Sequence, residues 1–474
     1  MPEKPANNNA FYGLPLTELT AISPVDGRYR REIIDIVPFS SEMGLIKTRL
    51  EIEAKYLVAL SEVGVVRKLT PEEKETLINL GPSLTHEQAE RVKEIEDKTR
   101  HDVKALEITF RELVQGTSLE DLTEKIHYGL TSYDVDNIAY RLMLRRALDI
   151  VLVPTLDGVV DELASRAEAD KTTPMLARTH GQPAVGTTIG KEFAIFALRL
   201  NKEVRKLEKS KLTGKLNGAV GNYNALALAE KDVDWVTFSE NFVKSLGLEP
   251  NLVTTQINPY EDMAEVFQTF QRINGIILGF DQDIWRYISD EWFVQQVKKD
   301  EVGSSTMPQK VNPIDFENSE GNVQVANGFW DVAVRKLAVS RLQRDLSDST
   351  VLRWIGTNLA AELLGYRRTL AGLKRTKPNV EFIQTKLNED YVILTEAAQT
   401  LLRKAGVSNA YDIVKKIARG QEIKEGEWKD WVSKLDVDSK TKEELMELTP
   451  QKYVGKAEEL TELALKEIAT SRVK

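Results

Sequence analysis

The sequence predicts an all-α fold, with a long central helical bundle flanked by two smaller, mainly helical domains. Three observations predict it. Apolar residues recur at three- and four-residue steps over stretches much longer than the ~11–12 residues of an average helix. The connectors between these stretches are short, which is the pattern of a bundle. Strand signals are few and brief.

In chain order, residues 1–14 lack the apolar core of a secretion signal and are expected to form a mobile tail. A first domain over 15–121 carries shorter helices. In its "TPEE" string, Thr70 is an N-cap, Pro71 takes the first helical position and Glu73 closes a capping box. The central bundle is expected over 122–375. One stripe runs through Ile138, Leu142, Leu148, Leu152, Val159 and Leu163, with Pro154 predicting a kink or break. A second runs from Ile189 through Phe193, Phe196, Leu200, Val204 and Leu207. The longest joins Val266, Phe267, Phe270, Ile273, Ile277, Phe280, Ile284 and Ile288, and further patterns occupy roughly 319–345 and 354–371. Helices this long, apolar around much of their surface, are expected to bury faces against other subunits. From 376 to 474 a C-terminal helical domain is expected, with stops at Gly406 and Gly420 and a capping box of Thr441 and Glu444.

Composition narrows the function. The chain has 64 Lys+Arg against 73 Asp+Glu, a net charge of −9. That opposes non-specific nucleic-acid binding, which needs a basic face to release counterions. The absence of cysteine excludes disulfides, thiolate nucleophiles and cysteine metal sites, and fits a cytoplasmic location. With four histidines and no cysteine, a structural zinc site is not expected. No apolar run approaches the ~18 residues that would span a bilayer.

The histidines are the sharpest clue. His86 lies in an ordinary polar helix context and is expected at the surface. The other three sit in dense polar strings: "TRHDVKALE" around His101, "HYGLTSYDVDN" beginning at His127, and "ARTHGQPA" around His180. Histidine is the usual proton-transfer group near neutral pH. Thr131 and Ser132 precede a long helical pattern, so their hydroxyls and free N–H groups suit an anion site; simple N-capping by Ser132 or Asp134 is the other reading. Gly181 and Pro183 would turn the chain and hold His180 at an element boundary. Arg344 and Arg353 around Ser349 and Thr350 form either a guanidinium and hydroxyl cradle for a phosphate or carboxylate, or a solvated helix junction.

One loop interrupts the helical body at 301–313, "EVGSSTMPQKVNP". It offers a flexible Gly303, adjacent hydroxyls, backbone N–H groups, the cation of Lys310 and the carboxamide of Asn312. That inventory suits a lid closing over an anion. Its spacing is not that of a Walker loop.

"GSSTMPQKVNP" closely resembles the signature loop of the fumarase/aspartase superfamily, whose members eliminate fumarate or a related acid across a C–N or C–O bond. Supporting strings run from residue 23 to 353: "SPVDGRY", "RHDVKA", "TSYDVDN", "RTHGQPA", "NGAVGNYNA", "TTQINP", "KVNPIDFENSEGN" and "QRDLSDSTVLR". The strings are most similar to the branch whose substrates are succinylated purine nucleotides. Gln309 stands where close relatives often carry histidine, and Arg100 where they often carry Asn or Thr.

The resemblance implies a 1,2-elimination with Ser304 as base and His180 as acid, Glu317 orienting and charging His180, and Lys310 stabilising the developing carboxylate charge. It implies substrate contacts from Arg28, Tyr29, Arg100, His101, Asp102, His127, Thr131, Ser132, Gln256, Ser305, Val311, Asn312, Asn318, Arg344, Ser349, Thr350 and Arg353. It implies a small-molecule nucleotide substrate, no metal or organic cofactor, no nucleic-acid or membrane partner, and a homotetramer whose sites are shared between subunits. Two rival readings stay open: another fumarate-releasing lyase such as argininosuccinate lyase, and a catalytically silent helical scaffold. The first typically has "MPQKKNP" and "THLQ" where this chain reads "MPQKVNP" and "THGQ".

Overall fold

In the computed structural model the described residues are 15–472, apart from 298–302, 304, 305, 308, 390 and 421. The expected tail at 1–14 and the expected site residues Ser304 and Ser305 lie outside them.

The all-α class is borne out. Five long helical segments follow the apolar stripes. They are Ser132–Ala147, which continues through a π turn at Leu148–Leu152 into Val153–Ala169, then Ile189–Glu208, Glu261–Ser289, Ile314–Leu337 and Ile355–Arg375. Strand among the described residues is confined to three two-stranded pairings. No helix among them is long and apolar enough to cross a membrane.

Local rules explain most boundaries. The Thr70 hydroxyl accepts from Glu73 N at 3.2 Å, while Thr70 N donates to the Glu73 carboxylate at 2.9 Å, completing the expected box. Pro154 falls in the first turn of Val153–Ala169, and the irregularity it was expected to cause is the π turn just before it. Gly406 and Gly420 adopt φ of 79° and 74° directly after the helices Thr395–Lys404 and Ala410–Ala418.

Two expectations are corrected and a third is extended. The helix expected over 319–345 ends at Leu337. Leu342 takes a φ of 50°, and the Asp345 carboxylate collects Arg341 N at 3.0 Å and Ser347 N at 2.7 Å, so a side chain satisfies amides that a helix would otherwise use. The C-terminal capping box is displaced. Asp438 is the cap, and its carboxylate accepts Thr441 N at 3.0 Å and the Thr441 hydroxyl at 2.6 Å. The expected turn in "RTHGQPA" is present, with His180 at an element boundary, and it is the tip of a β-hairpin, Pro174–Thr179 paired antiparallel with Gln182–Thr188.

The chain divides into two compact units: unit one is Met1–Thr155, Lys206–Asn274 and Asn322–Gly365, and unit two is Leu156–Arg205, Gly275–Gly321 and Tyr366–Lys474. In unit one, Phe267 and Phe270 stack on buried Trp330 at centroid distances of 4.3 and 5.7 Å. The Trp330 indole N–H and the Asn274 amide both donate to buried Glu362, at 2.6 and 2.9 Å. Unit two centres on Phe193, Phe280 and Phe316. Phe280 meets Phe193 at 6.1 Å and Phe316 at 6.3 Å. Such aromatic pairs add ~0.5–1.5 kcal/mol each beyond the area they bury.

Candidate active site

In unit one the polar strings converge on the start of helix Ser132–Ala147. Thr131 is its N-cap, where the sequence suggested Ser132 or Asp134. Asp134, at the third helical position, reaches back to accept Thr131 N at 2.9 Å. The other Asp134 oxygen accepts Asn217 N at 3.1 Å and Gly218 N at 3.2 Å. One buried carboxylate thus fixes both the helix start and the "NGAVG" segment.

His101 caps helix Asp102–Val114. Its Nδ1 accepts Lys104 N at 3.2 Å, so the neutral ring carries its proton on Nε2, which lies 3.4 Å from Ser132 Oγ. Arg100 occupies the left-handed region (φ 55°) and closes helix His86–Thr99, with its N–H donating to Glu96 O at 2.7 Å. It is the hinge that turns the chain into His101. His86 is exposed on that helix, as expected.

Buried Arg49 holds the same corner. It donates to Asp102 at 2.8 Å and Asp136 at 2.7 Å, tying the His101 cap to the first turn of Ser132–Ala147. Burial would raise the Asp102 carboxyl, but Arg49, then the Val103 N–H and Arg353, outweigh it and hold it below the ordinary carboxylate value. Arg353 approaches Asp102 at 3.6 Å and stays largely exposed.

Gln256 donates to Ala219 O at 2.9 Å and accepts from Arg344 at 3.2 Å; the Arg344 guanidinium lies 4.6 Å from the Tyr133 ring centroid. Tyr133 contacts the hydroxyl of Tyr260, which donates to Asp348 at 2.8 Å, beside Ser349 and Thr350. Burial pushes both phenols up, so this relay stays protonated. Unit one therefore gathers His101, Asp102, His127, Thr131, Ser132, Gln256, Arg344, Ser349, Thr350 and Arg353. Arg28 is exposed near the Tyr29 ring, 5.9 Å from its centroid, and no hydrogen bond or ion pair ties it to this cluster.

His127 stands in left-handed backbone (φ 59°). That conformation costs a non-glycine residue ~1–2 kcal/mol and persists where surroundings over-determine it. Here the Tyr56 hydroxyl donates to Tyr128 O at 2.8 Å, and the Glu53 carboxylate meets His127 Nδ1 at 2.5 Å. Burial would lower the imidazole, but Glu53 outweighs it, with Glu107 and Asp134 adding to its pull, so the ring holds its proton above the ordinary histidine value.

Unit two carries the other residues. His180 and Gly181 form the two-residue tip of the hairpin, with φ of 55° and 74°. Positive φ at both positions is a type I′ turn, and it lifts the exposed His180 clear of both strands. Glu317 lies on helix Ile314–Leu337 and accepts the Trp285 indole N–H at 3.0 Å. No hydrogen bond or ion pair joins Glu317 to His180 among the described residues. In the loop, Asn312 donates to Gly303 O at 2.6 Å and Gln295 to Val311 O at 3.3 Å, while Lys310 is exposed. A Cβ at Gly303 would fall 1.9 Å from Lys310 O, so glycine serves close backbone approach there, beyond the mobility expected of it. Asn318 follows Glu317 on the same helix and is partly buried.

Sequence reasoning missed Arg49, Glu53 and Lys215, and offered Asp134 only as a helix cap. A signal was present for the first two: in helix Glu42–Glu62 the apolar residues Leu45 and Leu50 flank Arg49, and Glu53 follows four residues on. Charges on a buried stripe imply partners.

Comparison with known proteins identifies the family. Residues 36–328 match the family model described as Lyase, and residues 340–454 the one described as Adenylosuccinate lyase C-terminal. The chain is 41% identical over 453 residues to the adenylosuccinate lyase of Haemophilus influenzae, covering 95% of this chain and 99% of that one. It is 42% identical over 451 residues to that of Legionella pneumophila strain Corby, covering 94% and 99%. Among solved structures, it superposes on a fumarate lyase from Mesorhizobium sp. BNC1 with a TM-score of 0.75 at 17% identity, over 91% of this chain and 97% of that one. A 3-carboxy-cis,cis-muconate lactonizing enzyme from Pseudomonas putida gives 0.72 at 18% identity, over 94% and 98%. The structural likenesses speak to the fold alone, whereas the sequence identity spans nearly the whole chain, and the chain belongs to the adenylosuccinate lyase family.

Proposed function

We propose that this C–N lyase eliminates fumarate from adenylosuccinate to give AMP, and from its imidazole-carboxamide counterpart SAICAR to give AICAR, in purine nucleotide biosynthesis. The observation that carries the reading is identity of about two residues in five with adenylosuccinate lyases over 95% of the chain.

The chemistry sets the demands. The proton removed lies next to a carboxylate, so the conjugate base is a doubly charged aci-carboxylate. Donors aimed in advance at such charge are worth about 3 kcal/mol each. Lys310 and Asn312, with loop N–H groups, meet it. Ser304 takes the proton and His180 protonates the departing nitrogen. Serine is a weak base unless its alkoxide is stabilised, and a nearby ammonium with water excluded does that. His101, with its Nε2 proton beside Ser132, and His127 orient the substrate. Arg344, Gln256, Ser349, Thr350 and Arg353 hold its anionic groups with Thr131 and Ser132. Asp102 acts through the cap it shares with Arg49. Arg28, Tyr29, Arg100, Ser305, Val311 and Asn318 complete the surround.

The assembly is a cytoplasmic homotetramer with sites shared between chains. Exposed apolar side chains on long helices support it: Val325 (68%) and Val332 (47%), one heptad apart, and Trp285 (43%). So does Glu317, which within its own chain engages Trp285 and leaves His180 for another chain's carboxylate.

Incubation with adenylosuccinate, argininosuccinate and malate, following fumarate spectroscopically, tests the function. Fumarate should form with an equal amount of AMP from the first alone. Release from argininosuccinate would select the rival lyase, and release from none would select the silent scaffold.

A further inference from the structure

The Glu53–His127 pair has the marks of a built device. The Glu53 side chain is 1% exposed and that of His127 15%. Glu53 Oε1 meets Nδ1 at 2.5 Å, and Glu53 Oε2 has no hydrogen-bond partner among the described residues, so the imidazole is the one group that satisfies this carboxylate. The two are 74 positions apart in sequence. The backbone of His127 is held in left-handed conformation to meet it. With Nδ1 engaged, Nε2 is the only ring atom left to meet a ligand.

The other charged groups facing His127 act in the same sense. Glu107, on helix Asp102–Val114, is itself paired with Lys104 at 2.8 Å and Arg111 at 3.2 Å. Asp134, on helix Ser132–Ala147, is paired with Lys215 at 2.8 Å. Both are neutralised locally, which leaves Glu53 as the dominant partner.

We propose that Glu53 is a positioning residue that fixes the His127 ring and keeps it cationic, so that its Nε2–H donates a charge-assisted hydrogen bond to an anionic oxygen of the substrate. The proposal rests on the reading above for the substrate's identity. It does not rest on it for the state of the ring.

Glu53→Gln keeps the side chain's shape and removes its charge. In protein labelled with [13Cε1]histidine, with His127→Gln supplying the assignment, the His127 signal should titrate above the ordinary value of about 6.5. In Glu53→Gln it should move down by about one pH unit or more. KM for adenylosuccinate in that variant should rise about tenfold at about pH 8 and by a smaller factor near pH 6, where more of the ring is protonated. Competition by AMP and by succinate identifies the oxygen: weakened AMP binding assigns a phosphate, weakened succinate binding a carboxylate. The proposal is overturned if wild-type His127 titrates at or below about 6.5, or if KM in the variant rises by the same factor at both pH values, as a packing defect would produce. The wild-type titration decides the matter even if Glu53→Gln fails to fold. A wild-type protein without lyase activity would sink the functional reading while leaving the titration to judge the pair.

Discussion

The Lys215 ammonium and the Asp134 carboxylate face each other at 2.8 Å, and neither side chain is exposed. Lys215 also donates to Gly218 O at 2.7 Å, while Asp134 collects amides from Thr131, Asn217 and Gly218. Two segments far apart in sequence, "TSYD" and "KLNGAVG", are locked together by one ion pair. Removing one partner of a buried pair strands the other charge, at a cost of about 3–5 kcal/mol. Lys215→Met should lower the stability of unit one by that order in denaturant unfolding. A loss below about 1 kcal/mol would mean that the pair is solvated.

The His127 pair makes stability depend on pH, with a definite sign. The folded ring binds its proton more tightly than the unfolded one. The extra stability is therefore complete below about pH 6.5, the unfolded value, and is lost as pH rises from there through the raised folded value. His127→Asn keeps the left-handed backbone accessible. The stability gap between wild type and this variant should be widest in mild acid and close towards alkaline pH. A gap that widens with pH would reverse the assignment.

At the hairpin tip, shape and chemistry separate. Asn tolerates positive φ, so His180→Asn should leave the unfolding midpoint unchanged and lower turnover by about 10²–10⁴-fold, the usual value of a positioned acid. A matching loss of stability would show that His180 serves the turn.

Site sharing predicts complementation. Mixed tetramers of Ser304→Ala and His180→Ala chains, each inactive alone, should recover activity because some sites then combine an intact base with an intact acid. Absence of recovery in verified mixed tetramers would place both groups in the same chain.

The parts of the molecule legible in the sequence are those fixed by local rules. The stripe from Val266 to Ile288 became helix Glu261–Ser289, and "TPEE" became the Thr70–Glu73 box. The failures share one cause, competition from a partner outside the local pattern. The helix beyond Leu337 yields to the Asp345 carboxylate, and the box at Thr441 yields to Asp438 three residues earlier. The strings around His101, His127 and His180 were legible as unusual, because polar and turn-forming residues crowd each one. What each histidine touches was not. Glu53 meets His127 across 74 residues, and no periodicity reports a contact of that range.

The central claim is that Ser304 takes the proton in an elimination that releases fumarate. The most direct measurement is steady-state turnover of adenylosuccinate by Ser304→Ala beside the wild type. The account predicts fumarate and AMP in equal amounts from the wild type, and in the variant a kcat lower by about 10²–10⁴-fold with KM little changed. Near-normal kcat in Ser304→Ala would contradict it.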